Sequence, residues 1–248
     1  MGAAAVAVSW VGQLAGKANF GEEEARGIAP LPDSTLRLDL MREHVMIRSM
    51  RVAIPVFPGV EELDAIAPLE VFGTARSAGL DVTVELVTHT QNSTVRCFHG
   101  LEMGGLHGFS GDYDLIVVPG GAWMSGGATG VRLAVDEGIL PELLRRHYES
   151  GAIIASVCTG TFLLVAAGLL QGIPATTHHS AREDLKAAGV QAVASRVVDA
   201  GRILTSGGIA SGLDLALWII ERSFGEAQSD RVANILEYER RGGILHHP

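Results

Sequence analysis

The sequence predicts an α/β fold in which helices sandwich a parallel sheet. Three observations carry that expectation. After Met50, short apolar runs alternate with stretches of helical periodicity. Two of the runs, residues 114–119 (DLIVVP) and 152–157 (AIIASV), are continuously apolar, as strands buried on both faces are. Glycine is abundant, 31 of 248 residues, and supplies the tight turns that such alternation needs.

Residues 51–57 form a short apolar run closed by Pro58-Gly59, a strand and its turn. A helix follows over 62–78, with Leu69, Phe72 and Ala75 at helical spacing and Pro68 in its first turn. Residues 83–88, β-branched and alternating, make a second strand, and 93–103 a hairpin around His99-Gly100. The DLIVVP strand leads into one amphipathic helix over 131–149, built on Leu133, Ile139, Leu143 and Leu144. After the AIIASV strand come a helix at 161–167, a short strand at 175–177 and a helix at 181–188. A hairpin-like pair, 192–199 and 202–205, precedes two closing helices at 212–224 and 226–240. The domain is therefore placed at residues 50–241, with 242–248 as a tail that exposes His246 and His247.

The first 49 residues read differently. Residues 3–16 are apolar but too few to span a membrane, and nothing basic precedes Lys17, unlike a secretory signal. Glu22-Glu23-Glu24, Pro30 and Pro32 follow without steady periodicity, and Met41, Met46 and Met50 come close together. Residues 1–49 are expected to be an N-terminal extension, either a loose tail or the result of a start assigned upstream of Met50, with a cryptic signal peptide as the alternative.

Composition narrows the function. With 19 basic and 28 acidic residues the chain carries −9, and no basic stripe exists to neutralise phosphates, so no nucleic-acid partner is expected. Two cysteines, Cys97 and Cys158, cannot build a disulfide framework or a four-thiolate zinc site. Neither H-E-x-x-H nor C-x-x-C occurs, so no metal site is expected. A reducing cytoplasm is the expected location, and the expected partners are a small-molecule substrate and no membrane.

Ligands of an open parallel sheet gather outside the carboxyl ends of its strands, and three such ends carry unusual residues. Ser156-Val157-Cys158-Thr159-Gly160 takes a buried strand straight into a helix, the setting of a nucleophile elbow. There the helix N-terminus is expected to lower the Cys158 pKa, whereas a merely structural Cys158 would be a small core residue. Pro119-Gly120-Gly121 lets backbone N–H groups approach a ligand, and Gly120, Gly121 and Thr159 are expected to form an oxyanion hole. The third end, Gly59 to Asp64, gathers acids at a helix start. Glu61 and Glu62 are expected only to stabilise the helix dipole, while Asp64, set among apolar neighbours, turns inward and carries a proton. His178-His179 stands at another strand end, either beside the pocket or as a hydrogen-bonded bystander. Cys97, in a hairpin, is expected to be structural.

These residues resemble the ThiJ/PfpI superfamily, relatives of class I glutamine amidotransferases with a flavodoxin-like fold. The resemblance runs from Met50 to about Tyr238 and rests on FPGVEELD (57–64), DLIVVPGG (114–121), VCTG (157–160) and AAGLLQGIPATTH (166–178). It implies that Cys158 is the nucleophile. Asp64 falls where isocyanide hydratases carry aspartate and deglycase or glyoxalase-like members carry glutamate. Thr159 stands where PfpI-type proteases have histidine, which argues against peptidase activity. Ala67-Pro68 replaces the Gly-Pro usual in hydratases. The resemblance thus implies a cofactor-independent, homodimeric isocyanide hydratase. A glyoxalase or deglycase, and a ligand-sensing domain related to AraC-type regulators, stay open.

Overall fold

A computed structural model of the protein describes residues 49–90, 94–124 and 129–247. Apart from Ser49, the expected extension at 1–49 lies outside the described residues. In chain order, β1 (Met50–Pro55) and α1 (Glu62–Ser77) lead to β2 (Val82–Thr88). A hairpin of β3 (Thr94–Arg96) and β4 (Glu102–Gly104) comes next, then β5 (His107–Gly108) and β6 (Leu115–Val118). Helices α2 (Val131–Glu137) and α3 (Ile139–Glu149) precede β7 (Ile153–Ser156) and α4 (Thr161–Ala166). Then come β8 (Pro174–Ala175), α5 (Arg182–Ala187), β9 (Gln191–Ala192), β10 (Val197–Ala200) and β11 (Ile203–Ser206). Helices α6 (Ser211–Phe224) and α7 (Glu226–Ile235) and strand β12 (Ile244–His246) close the chain.

Eight strands make the central sheet in the order β12-β10-β11-β7-β6-β1-β2-β5. Neighbours pair parallel except at β10–β11, which is antiparallel. Both apolar runs are indeed central: every residue of β6 is buried, and Ile154 to Ser156 of β7 are too. The chain winds one way from β1 to β2 and the other way from β6 to β7. That reversal lies between β1 and β6, so the loops after β1, β6 and β7 meet at one end of the sheet. Among the described residues, no helix is long and apolar enough to cross a membrane.

Several details differ from the sequence reading, each for a local reason. The helix expected over 131–149 breaks at Gly138, whose left-handed backbone (φ 70°) ends α2. Pro68 lies in the interior of α1, beyond the first turn. The last helix stops at Ile235 rather than 240. Glu237 turns left-handed (φ 49°), and the Tyr238 hydroxyl donates to Asp214 at 2.9 Å. Residues 242–247 are more than a tail. Ile244–His246 extends the sheet beside β10, and the His247 N–H donates to the Asp199 carbonyl at 2.8 Å.

Packing where β6 meets the turn after β7 leaves no room for a side chain at Gly160. A Cβ there would stand 2.3 Å from the Val118 oxygen and 2.7 Å from the Pro119 oxygen. Gly160→Ala is therefore expected to destabilise the fold by about 2–3 kcal/mol. Gly73, inside α1 with nothing within 4 Å of an added Cβ, is the opposite case. Gly73→Ala is expected to stabilise by about 0.5–1 kcal/mol. Urea denaturation checks both, and an unchanged midpoint for Gly160→Ala contradicts the packing.

Candidate active site

Strand β7 ends at Ser156, and Val157 is still extended. Cys158 then takes φ 57°, a left-handed conformation that a residue with a Cβ rarely adopts. Neighbours on several elements hold it there. Its N–H donates to the Gly207 carbonyl at 2.8 Å. Its carbonyl accepts the hydroxyls of Thr177 at 2.9 Å and Thr161 at 3.2 Å. A 3₁₀ turn over Cys158–Gly160 then enters α4. The expected elbow geometry is present, with Cys158 at 6% exposure.

Asp64, in the first turn of α1, has no exposed surface. Its Oδ2 accepts the Gly120 N–H at 2.9 Å, and the Gly120 carbonyl accepts the Glu61 N–H at 2.9 Å. The Gly121 N–H donates to Thr159 Oγ1 at 3.1 Å. These bonds stitch the loops after β1, β6 and β7 together. Both glycines are required by the closeness: a Cβ on Gly120 would sit 2.6 Å from the Thr159 nitrogen, and one on Gly121 2.4 Å from the Gly59 oxygen.

Those same bonds correct the oxyanion-hole expectation. The N–H groups of Gly120 and Gly121 already serve Asp64 and Thr159, so neither is free for a ligand. The donors that reach the Cys158 sulfur are the backbone N–H groups of Ile209 and Thr159, with the Thr159 hydroxyl beside them. Ile209 escaped the sequence reading. Its signal was another glycine pair at a strand end, Gly207-Gly208 after β11, and Ile209 itself has φ 26°.

The thiol also departs from expectation. Burial, then the Asp64 charge, push Cys158 up to about 12, and the Ile209 and Thr159 donors only partly offset them. A short helix behind an elbow cannot outweigh lost hydration next to a carboxylate. Asp64 itself is raised to about 7, first by burial and then by the Glu61 charge, against the Gly120 N–H and the Cys158 thiol. Its other oxygen, Oδ1, makes no hydrogen bond of ordinary geometry. Thiol and carboxyl are therefore coupled: the Asp64 charge raises the thiol, while the thiol, as a donor, holds Asp64 down.

The other sequence candidates fall nearby or apart. Thr177, rather than His178, touches the elbow; the His178 ring covers Gly208, where an added Cβ would be 2.4 Å from its Cδ2. Cys97 is buried in the β3–β4 turn and its thiol is pushed up to about 11, chiefly by burial. Glu62 does more than stabilise a helix dipole. Its Oε1 accepts the N–H groups of His99 at 2.8 Å and Leu101 at 3.4 Å, latching the hairpin to α1. Glu61 Oε2 pairs with His99 Nε2 at 3.5 Å. Donor atoms of Glu61, Glu62 and His99 lie within 4.8 Å of one another, close enough to surround a cation. Trp123, also unanticipated, stacks on Phe162 beside the elbow helix with ring centroids 3.7 Å apart.

A family model for the DJ-1/PfpI family matches residues 50–222. The chain belongs to that family. Isonitrile hydratase of Pseudomonas putida is 32% identical over 192 residues, which cover 77% of this chain and 79% of that protein. Protein DJ-1 homolog A of Arabidopsis thaliana is 35% identical over 190 residues, 75% of this chain but 46% of the longer relative. Among solved structures, a ThiJ/PfpI family protein from Pseudomonas syringae superposes with a TM-score of 0.69. It is 23% identical and covers 87% of this chain and 84% of that one. The family thus includes enzymes, and the shared fold is the parallel sheet between helices.

A carboxyl whose native pKa lies above its unfolded one makes the native state bind more protons, so its contribution falls as pH rises. For Asp64 the window runs from 3.8 to about 7, a loss of up to about 4 kcal/mol. Asp64→Asn keeps the shape without the charge. It is expected to raise the melting temperature by several degrees at about pH 8 and by less than half as much at about pH 5. Thermal denaturation at both pH values decides, and equal shifts contradict the assignment.

Proposed function

We propose that this protein is a cysteine-dependent hydratase that converts a small isocyanide into an N-substituted formamide. The observation that carries the reading is the buried Cys158 on its left-handed elbow, hydrogen-bonded to the fully buried Asp64. The terminal carbon of an isocyanide accepts a nucleophile and a proton at the same atom. A neutral thiol beside a carboxylate delivers both. The Cys158 sulfur bonds the carbon while its proton passes through Asp64 to that carbon, leaving a thioimidate, R–N=CH–S. The N–H groups of Ile209 and Thr159 steady the charge on sulfur as the proton leaves. Water then adds to the same carbon, and its proton reaches nitrogen by way of Asp64. The C–S bond breaks, Cys158 recovers its proton and the formamide departs. Atoms and charges balance with water as the second reactant. Similarity to the isonitrile hydratase of Pseudomonas putida supports the reading.

Purified protein is expected to make formamide from an aliphatic isocyanide, and Cys158→Ala to make none. Asp64→Asn is expected to lose about a hundredfold or more in kcat/KM. The wild-type kcat/KM rises with pH through about 7, where the doubly protonated pair gives up its first proton, and this limb vanishes in Asp64→Asn. Gas-chromatographic assay of formamide, with lactate formation from methylglyoxal as the contrast, tests the reading. Turnover unaffected by Cys158→Ala, or lactate without formamide, overturns it.

A further inference from the structure

Beside the elbow lies a cavity of ≈470 Å³. Thr177, Gly207 and Ile209 belong both to its lining and to the contacts that hold Cys158, so cavity and nucleophile share a wall. Its charged and titratable lining is Arg182, Arg196, His178 and His179, and no aspartate or glutamate lines it among the described residues. Arg196 is spoken for, since Asp214 accepts from its Nε at 2.7 Å. Arg182 is different. It has no acidic partner among the described residues, and its Nε is buried without a hydrogen bond. His178 adds a second donor. Its Nδ1 lies 2.8 Å from Ser180 Oγ and 3.3 Å from the Ser180 nitrogen, and its Nε2 lies at the Gly208 side of the cavity. A guanidinium and an imidazole N–H without an acid to answer them stand on a chain whose net charge is −9. Such a pair is suited to bind a carboxylate, which a guanidinium recognises by paired N–H···O bonds.

We propose that this cavity is a carboxylate subsite and that the substrate is a small carboxylic acid, its acid group on Arg182 and His178 and its reactive carbon at Cys158. The substrate class rests on the hydratase reading, whereas the subsite does not. The subsite is tested without any turnover, by alkylating Cys158 with two reagents of similar size, anionic iodoacetate and neutral iodoacetamide. Modification is read as mass added to the Cys158 peptide, with N-acetylcysteine as the free-thiol reference.

The protein is expected to favour iodoacetate, relative to iodoacetamide, by about tenfold over N-acetylcysteine. Arg182→Gln is expected to erase that preference with iodoacetamide modification within twofold of wild type, and Arg182→Lys to retain most of it. A reagent ratio equal to that of N-acetylcysteine, a preference untouched by Arg182→Gln, or no modification by either reagent overturns the subsite. If the preference holds and no isocyanide is hydrated, the subsite stands and the hydratase reading falls. If it is present, an isocyano acid is expected to be hydrated at a higher kcat/KM than its methyl ester, and that advantage to disappear in Arg182→Gln.

Discussion

A carboxyl with no exposed surface must find partners for its charge or keep a proton, and at Asp64 the chain supplies one conventional donor, the Gly120 N–H. Much of the site follows from accommodating that group. The Gly120 backbone has to come within hydrogen-bond distance of a helix start, which excludes a side chain at 120. Gly121 is then pressed against the loop after β1, so it too has to be glycine, and its N–H turns to Thr159. Thr159 in turn is fixed beside Cys158, whose left-handed backbone is secured by Gly207, Thr161 and Thr177. The sheet contributes the reversal of winding between β1 and β6, which brings these loops to one place.

The electrostatics follow from the same arrangement. Burial disfavours charge on the thiol and on the carboxyl alike; the Asp64 charge further disfavours the thiolate, and the Glu61 charge further disfavours the carboxylate. The outcome is a proton shared by a close pair near neutral pH, rather than a permanently ionised thiolate. That suits an addition in which one carbon receives both sulfur and hydrogen. Arg182, without an acidic partner among the described residues, lines the cavity beside the elbow, where a positive charge can hold a ligand through its remote end.

Much of this was legible from residue order. Continuous apolar runs marked β6 and β7, and the residues just beyond them, Gly120, Gly121, Cys158 and Thr159, converge with Asp64. Burial of Asp64 could be expected because Leu63 and Ala65 to Ala67 surround it in sequence. What periodicity could not supply was how each donor is used. The glycine N–H groups looked free until the partners across the crevice were in place. Ile209 reaches Cys158 only because β11 lies beside β7, a pairing between residues far apart in the chain. Pro68, Gly138 and Glu237 were misjudged or overlooked because helix interiors and ends depend on local backbone geometry, which spacing alone does not settle.

The central claim, that Asp64 keeps a proton up to neutral pH because it is buried and faces the Glu61 charge, is most directly tested by infrared difference titration of the carboxylic acid C=O stretch. The account predicts a protonated-carboxyl band that disappears with a midpoint near pH 7 and is missing from Asp64→Asn. A wild-type spectrum in which no such band survives above about pH 5, as for an ordinary aspartate, would contradict it.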